Sequence, residues 1–372
     1  MGTQNPAGET PKIHSRKQAG SHVTPSLEPS QSPITARPEQ PTPAAYTDID
    51  FTIAASTAER LLNATPDNTR RTYDYAWRQF ERWCTDEGRV PLPATPQTLA
   101  DYVARLIGCD LAPATIDNAI GAIRSRHTGA GYEGHPNTKA ALKLLRAYRK
   151  EWADKGNSVT KATPLLLDGL RAMVSTCDPA TPAGTRDRAL LLLGFNMMAR
   201  RSELSALNQG DLREVDEGLI VSVRYSKTDQ DAAGTEVHVP FGQHAETCAV
   251  RAVTAWRNLL AERDLGGGAL FRPIDRHGRI AGEPKTAGRI AERLSGKSIS
   301  DIVHRRAVLA GLRGHYTGHS LRSGAATTAY AAGVPVSVIA AHGRWAERSP
   351  VVLGYIRAVD KWQHNPMKGV GL

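Results

Sequence analysis

The sequence predicts a mainly α protein with a small β-sheet, divided into two domains. Apolar residues recur every three or four positions through most of the chain after residue 50, the spacing of a helix face. Two short β-type runs interrupt that pattern, Leu219 to Tyr225 and Glu236 to Pro240. A chain of 372 residues, 40% of them hydrophobic, is long enough for two apolar cores, and a single domain of that length would be unusually large.

Residues 1–45 hold Pro6, Pro11, Pro25, Pro29, Pro33, Pro38, Pro41 and Pro43 with almost no large apolar side chains. Such a stretch buries too little to offset its ordering entropy, so a disordered tail is expected. A helical domain is expected over 46–156. Tyr73, Ala76, Trp77, Phe80, Trp83 and Cys84 make one stripe of its first helix. Thr95-Pro96 reads as an N-cap with proline at the first helical position, leading into Leu99, Tyr102, Val103, Leu106 and Ile107. A third helix starts near Ala114, with Ile116, Ile120 and Ile123 on its apolar side and Arg124, Arg126 and His127 at its other end. A fourth, Thr138 to about Lys155, sets Leu142, Leu145 and Tyr148 among Lys139, Lys143, Arg146, Arg149 and Lys150. One such charge run is usually solvated surface; several on one small domain favour a face for DNA.

Gly156-Asn157-Ser158 with Lys161 reads as a linker, and the second domain is expected over 157–372. Thr163-Pro164 repeats the cap-plus-proline signal, and the helices that follow include the Leu190 to Leu193 run. The two β-type runs enclose Ser226-Lys227-Thr228-Asp229, as a hairpin or a three-stranded sheet. Helical patterns resume near Ala245 and at Ser298 to Leu312.

The formal charge of +10 draws the protein to a polyanion. In the tail Lys12, Arg16, Lys17 and Arg37 nearly balance Glu9, Glu28 and Glu39, so the excess lies in the folded part and nucleic acid is the leading partner. Cys84, Cys109, Cys177 and Cys248 are too scattered for a zinc site or a secreted disulfide framework. No apolar run reaches about 18 residues and the N-terminus lacks an apolar core, so neither a membrane span nor a signal peptide is expected. The expected location is the cytoplasm, at the nucleoid.

Chemistry concentrates at a few short stretches. Arg200 follows a very apolar helix, and Glu203, three residues on, can hold its guanidinium on the same helix face. A buried arginine held by a carboxylate is often only structural, but it is also how a fixed phosphate clamp is built. Further on come His319-Ser320-Leu321-Arg322, then Gly343-Arg344-Trp345, then Tyr355-Ile356-Arg357. Any one of these occurs by chance in many chains.

Their joint order, Arg200, Lys227, His319, Arg322, Trp345 and Tyr355, resembles the tyrosine recombinase (phage integrase) family, and the C-terminal part is similar to a Cre-like catalytic domain. The stretches that carry it include Ala199-Arg200-Arg201-Ser202-Glu203-Leu204 and Thr317-Gly318-His319-Ser320-Leu321-Arg322-Ser323-Gly324. The likeness covers about residues 50–372, weakly in the first domain and strongly in the second. It implies a SAM-like helical core DNA-binding domain followed by a recombinase catalytic domain, closing as a clamp on DNA.

The resemblance also implies roles. Arg200 and Arg322 would stabilise the charge that gathers on a phosphodiester in transit. His319 would add a hydrogen bond to the same phosphate and help deprotonate the nucleophile. Lys227 would give a proton to the leaving 5′-oxygen. Trp345 would pack there or donate its indole N–H, and Tyr355 would attack and stay joined to the 3′-phosphate. That link conserves the broken bond's energy, so no cofactor, ATP or metal ion is expected. Double-stranded DNA, a homo-tetramer on synapsed sites and accessory DNA-bending or directionality factors are the implied partners.

Trp345 and Tyr355 are ten residues apart, one more than the Cre-like pattern, and His342 competes with Trp345 for the third-motif position. Gly343-Arg344-Trp345 follows a Gly-Gly-Trp pattern more closely. Tyr316 and Tyr330 are rival tyrosines and Lys285 and Lys297 rival lysines, all in less suitable contexts. Two other activities fit the same residues: a catalytically silent DNA-binding protein of this fold, and a type IB topoisomerase-like enzyme.

Overall fold

The computed structural model describes residues 67–224, 234–346 and 349–360, with a few isolated positions outside them. The expected tail and Lys227 lie outside the described residues. The chain sorts into two compact units, Met1–Tyr102 with Asn118–Asn137, and Val103–Asp117 with Thr138–Leu372.

Four helices come first: α1 (Asp67–Asp86), α2 (Pro96–Gly108), α3 (Pro113–Gly129) and α4 (Lys139–Asp154). On α1 the expected stripe is buried at Trp77, Phe80, Trp83 and Cys84, and Phe80 and Trp83 each meet Tyr102 with ring centroids 5.0 Å apart. The Thr95 cap forms, its hydroxyl accepting the Thr98 amide at 3.1 Å. His127 departs from expectation: it is fully buried, not part of a basic face. Its Nε2 accepts the Ala94 amide at 2.8 Å, which leaves Nδ1–H to donate to the Ile123 carbonyl at 2.7 Å. Burial lowers its pKa, as a neutral ring that accepts at one nitrogen requires. On α4 the apolar stripe is Ala141, Leu145 and Tyr148, whereas Leu142 is exposed. The alanine at the stripe's start, the smallest of the three, is what hid this register.

Thr163-Pro164 does not open a helix. The Thr163 amide donates to the His315 carbonyl at 2.8 Å, its hydroxyl accepts the His315 amide at 3.0 Å, and the Leu165 amide donates to the Ser320 carbonyl at 3.0 Å. With its hydroxyl engaged 152 residues away, Thr163 is unavailable as a cap. Helix α5 (Leu167–Ser175) begins later. Next comes α6 (Pro182–Asn196), capped by the Thr181 hydroxyl, whose Leu190 to Leu193 are all fully buried; a turn apolar on every side belongs in the middle of a core.

After α7 (Arg201–Ala206) an antiparallel sheet follows in the order β1 (Leu212–Val215), β2 (Gly218–Val223), β3 (Thr235–Pro240). Leu219 pairs with Val239 and Val221 with Val237, so the inward residues of β2 and β3 face each other. Helices α8 (Ala249–Ala261), α9 (Gly296–Leu309), α10 (Gly318–Ala331), α11 (Val336–Gly343) and α12 (Pro350–Asp360) complete the chain. One large core joins α5, α6, the sheet, α8, α9 and Leu321 of α10. A smaller cluster of Met198, Ala325, Ala326, Ile339 and Val352 lies beneath Trp345 and Tyr355.

All four thiols are free, and three are buried; burial pushes Cys84 and Cys177 up to about 11, so both stay protonated. Among the described residues no helix is long and apolar enough to cross a membrane.

Candidate active site

Helix α10 supplies two of the side chains. The Thr317 hydroxyl accepts the His319 amide at 3.2 Å and the Ser320 hydroxyl accepts the Thr317 amide at 3.0 Å, which fixes where the helix starts. His319 and Arg322, three residues apart, therefore share one face. Gly324 lets the helix press on the chain before α5, since a Cβ there would lie 1.9 Å from the Leu165 carbonyl oxygen.

Arg322 is 1% exposed. One of its terminal nitrogens donates to the Met198 carbonyl, and its guanidinium carbon sits 3.7 Å from the centre of the Trp345 ring. The other terminal nitrogen, buried, has no hydrogen-bond partner. Met198 has φ +47°, the left-handed region, and that turn presents its carbonyl to Arg322. Burial first, then the charge of Arg200, lowers the Arg322 guanidinium to about 9, which still leaves it charged at neutral pH.

Arg200 caps α7 and meets Glu203 as the spacing predicts. Its guanidinium donates to Glu203 Oε1 at 2.7 Å, and its amide donates to Oε2 at 2.9 Å. The same Oε2 takes a second guanidinium, that of Arg344, at 2.6 Å. Burial pushes the Glu203 carboxyl up, but Arg344 and Arg200 together outweigh it and hold the group below its usual range. Arg344 was not singled out from sequence. Its signal is an arginine directly before Trp345, at a helix end where the backbone turns left-handed and glycine is the easy choice.

Tyr355, on α12, rests on the small apolar cluster and packs its ring 6.1 Å from Trp345 and 5.7 Å from His319. The Tyr355 hydroxyl and His319 Nε2 share a hydrogen bond. Burial raises the phenol's pKa more than Arg322 and Arg200 lower it, so Tyr355 is protonated at neutral pH. His319 is shifted the other way, by partial burial and then by Arg322, Arg200 and Arg201. A neutral imidazole can therefore take the proton of a neutral phenol.

The fold thus gathers Arg200, His319, Arg322, Trp345 and Tyr355 around one spot. His342 is engaged elsewhere, 2.7 Å from the Asn196 carbonyl. Tyr316 is buried in the main core, Tyr330 packs on the smaller cluster, and Lys297 pairs with Asp301 at 2.8 Å.

Residues 165–361 match the model of the phage integrase family. An integrase/recombinase xerD homolog from Selenomonas ruminantium is 34% identical over 277 residues, spanning 73% of this chain and 76% of that protein. The Cre recombinase of Escherichia phage P1 is 26% identical over 294 residues, 76% of this chain and 82% of its own. Among solved structures, a lambda integrase dimer bound to a COC′ core site covers 81% of this chain and 93% of its own with a TM-score of 0.52 at 17% identity. A Tn1549 transposon integrase in complex with circular intermediate DNA covers 81% of this chain and 92% of its own, with a TM-score of 0.55 at 13% identity. These two likenesses concern the fold. The family match and the 34% identical relative assign the chain itself: it belongs to the phage integrase family and is a tyrosine recombinase.

Proposed function

We propose that this recombinase cuts DNA by attack of the Tyr355 oxygen on a backbone phosphate, and rejoins it by the reverse step at a second strand. The observation that carries the reading is the Tyr355–His319 hydrogen bond beside an Arg322 nitrogen that is buried and unpartnered. A buried donor without an acceptor is costly, and an anionic phosphate oxygen would satisfy it. In the forward step the Tyr355 oxygen bonds to phosphorus and its proton passes to His319 Nε2. The bond from phosphorus to the 5′-oxygen breaks, and that oxygen leaves with a proton. Lys227 is the proposed donor, carried between β2 and β3 and outside the described residues. Arg200 and Arg322 offset the charge on the non-bridging oxygens. Trp345 holds the Arg322 guanidinium by stacking on it.

The tyrosine ester preserves the energy of the broken bond, so the reverse step needs no ATP. Four protomers on two synapsed duplexes would exchange one strand pair, pass through a Holliday junction and exchange the second. The helical region before the linker, over 46–156, would add DNA contacts of its own, and the nucleoid would be the place of action. The net charge of +10 supports a DNA partner. The paired catalytic groups weigh against a silent DNA-binding protein.

Incubation of the full chain with fragmented DNA from its own cell, followed by denaturation, should leave protein covalently joined to DNA ends. Tyr355→Phe should give no such adduct. An adduct from the Phe variant would reassign the nucleophile, and none from the wild type would refute the reaction.

A further inference from the structure

We propose that Arg344 is a positioning residue for both phosphate-facing arginines, acting on Arg200 through Glu203 and its own carbonyl, and on Arg322 through Trp345. The proposal rests on reading Arg200 and Arg322 as the phosphate clamp, and it names what holds that clamp in register.

Arg344 combines features that a merely structural helix end does not need. It lies at φ +58°, ψ +45°, a conformation that any residue with a Cβ resists, and glycine there would end α11 at lower cost. It is a charged residue only 7% exposed. Its side chain donates to Glu203 Oε2 at 2.6 Å, to the Met197 carbonyl at 3.2 Å and to the His342 carbonyl at 3.0 Å. Its own carbonyl accepts from Arg200 at 3.2 Å. Arg200 is thus gripped twice by one residue, once through the shared carboxylate and once by a peptide oxygen.

The grip on Arg322 runs through the next residue. The Trp345 amide donates to the Ala340 carbonyl at 2.9 Å, and its ring folds back over Gly343, where a Cβ would overlap it at 1.8 Å. That fold places the indole face against Arg322. Residues 343–345 therefore act as one brace, and Arg344 is the tie between its two ends. Because Glu203 is divided between two guanidiniums, Arg200 is aimed without being wholly neutralised.

Glu203 faces Arg200 from the start of α7 and Arg344 from the end of α11; Arg322 on α10 feels its charge, and Asp211 and Arg224 line a small cavity with it. Without Arg344 the carboxylate loses the cation that most offsets its burial, so it takes up a proton more readily and releases Arg200 as pH falls.

The test uses the full chain and a nicked duplex built from the DNA fragment that the wild type captures covalently. Single-turnover cleavage and equilibrium binding are measured across pH for Arg344→Gly, which keeps the left-handed turn, and for Arg344→Lys, which keeps the charge. Each is also combined with Glu203→Gln. Cleavage by Arg344→Gly should slow about 10- to 100-fold, the scale of a small misplacement of reacting groups, at wild-type DNA affinity. Arg344→Lys should recover part of the rate. Arg344→Gly should lose rate in acid at a higher pH than the wild type does, and that displacement of the acid limb should disappear with Glu203→Gln. A wild-type rate in Arg344→Gly, a parallel loss of binding and cleavage, or a slowed rate with no change in pH dependence would each overturn the proposal. If Arg344→Gly does not fold, a wild-type cleavage rate in Arg344→Lys overturns it equally. A wild type that captures no DNA refutes the underlying reading of the site instead.

Discussion

Two enclosed arginine clusters stand in the same unit, each organised by a single carboxylate, and they do different things with the same chemistry. In one, Asp187 is fully buried and takes Arg186 at 2.7 Å and Arg306 at 2.8 Å. Their other nitrogens donate to the carbonyls of Arg272 at 3.2 Å and Thr176 at 2.6 Å. In the other, Glu203 takes Arg200 and Arg344, and Arg322 beside them keeps a buried nitrogen without an acceptor. Burying a guanidinium is costly unless its donors are met. The Asp187 cluster meets that demand inside the protein and serves the fold, whereas the Glu203 cluster leaves part of it open beside the phenol of Tyr355.

The largest expected effect comes from closing that opening. Arg322→Lys keeps a charge but loses the planar fork, and should slow cleavage about 100- to 1000-fold while the unfolding midpoint barely moves. A large fall in stability with normal cleavage would erase the contrast between the clusters. The converse change is Asp187→Asn, which strips Arg186 and Arg306 of their counter-charge. It should cost about 3–5 kcal/mol of stability in denaturant titration, with cleavage per folded molecule unchanged. Slowed cleavage at full stability would show that this cluster, too, serves the reaction.

A smaller effect tests the field of the open cluster. His319 is held below the ordinary imidazole range, so it stays neutral through neutral pH and gains its proton only on further acidification. Cleavage should be flat there and fall in acid as the acceptor for the phenolic proton is lost. Arg201→Ala removes one of the cations that depress this group, so the acid limb should move to higher pH. A fixed limb argues against that influence, and a rate indifferent to acid argues against His319 as the acceptor.

The sequence revealed what is local. The Thr95 cap, the four consecutive buried leucines of α6, the pairing of Arg200 with Glu203 and the His319–Arg322 face are each written within a few residues. What it concealed depends on partners far along the chain. Thr163 looks like a helix start until its hydroxyl is seen to serve His315, and His127 looks like part of a basic face until both ring nitrogens are accounted for. Arg344 meets Glu203 across 141 positions, and no local pattern anticipates that bond. The stripe of α4 was misplaced by a residue because Ala141 carries little apolar signal although it is fully buried.

The left-handed turn at Met198 has one more effect, on electrostatic balance. It tethers Arg322 with a neutral peptide oxygen where a carboxylate could have stood. Three guanidiniums, at 200, 322 and 344, then face one carboxylate at 203, a surplus of two positive charges. In the proposed reaction a five-coordinate phosphorus passing between two strands would gather about that much negative charge, so the pocket would be matched to a species that exists only during transfer.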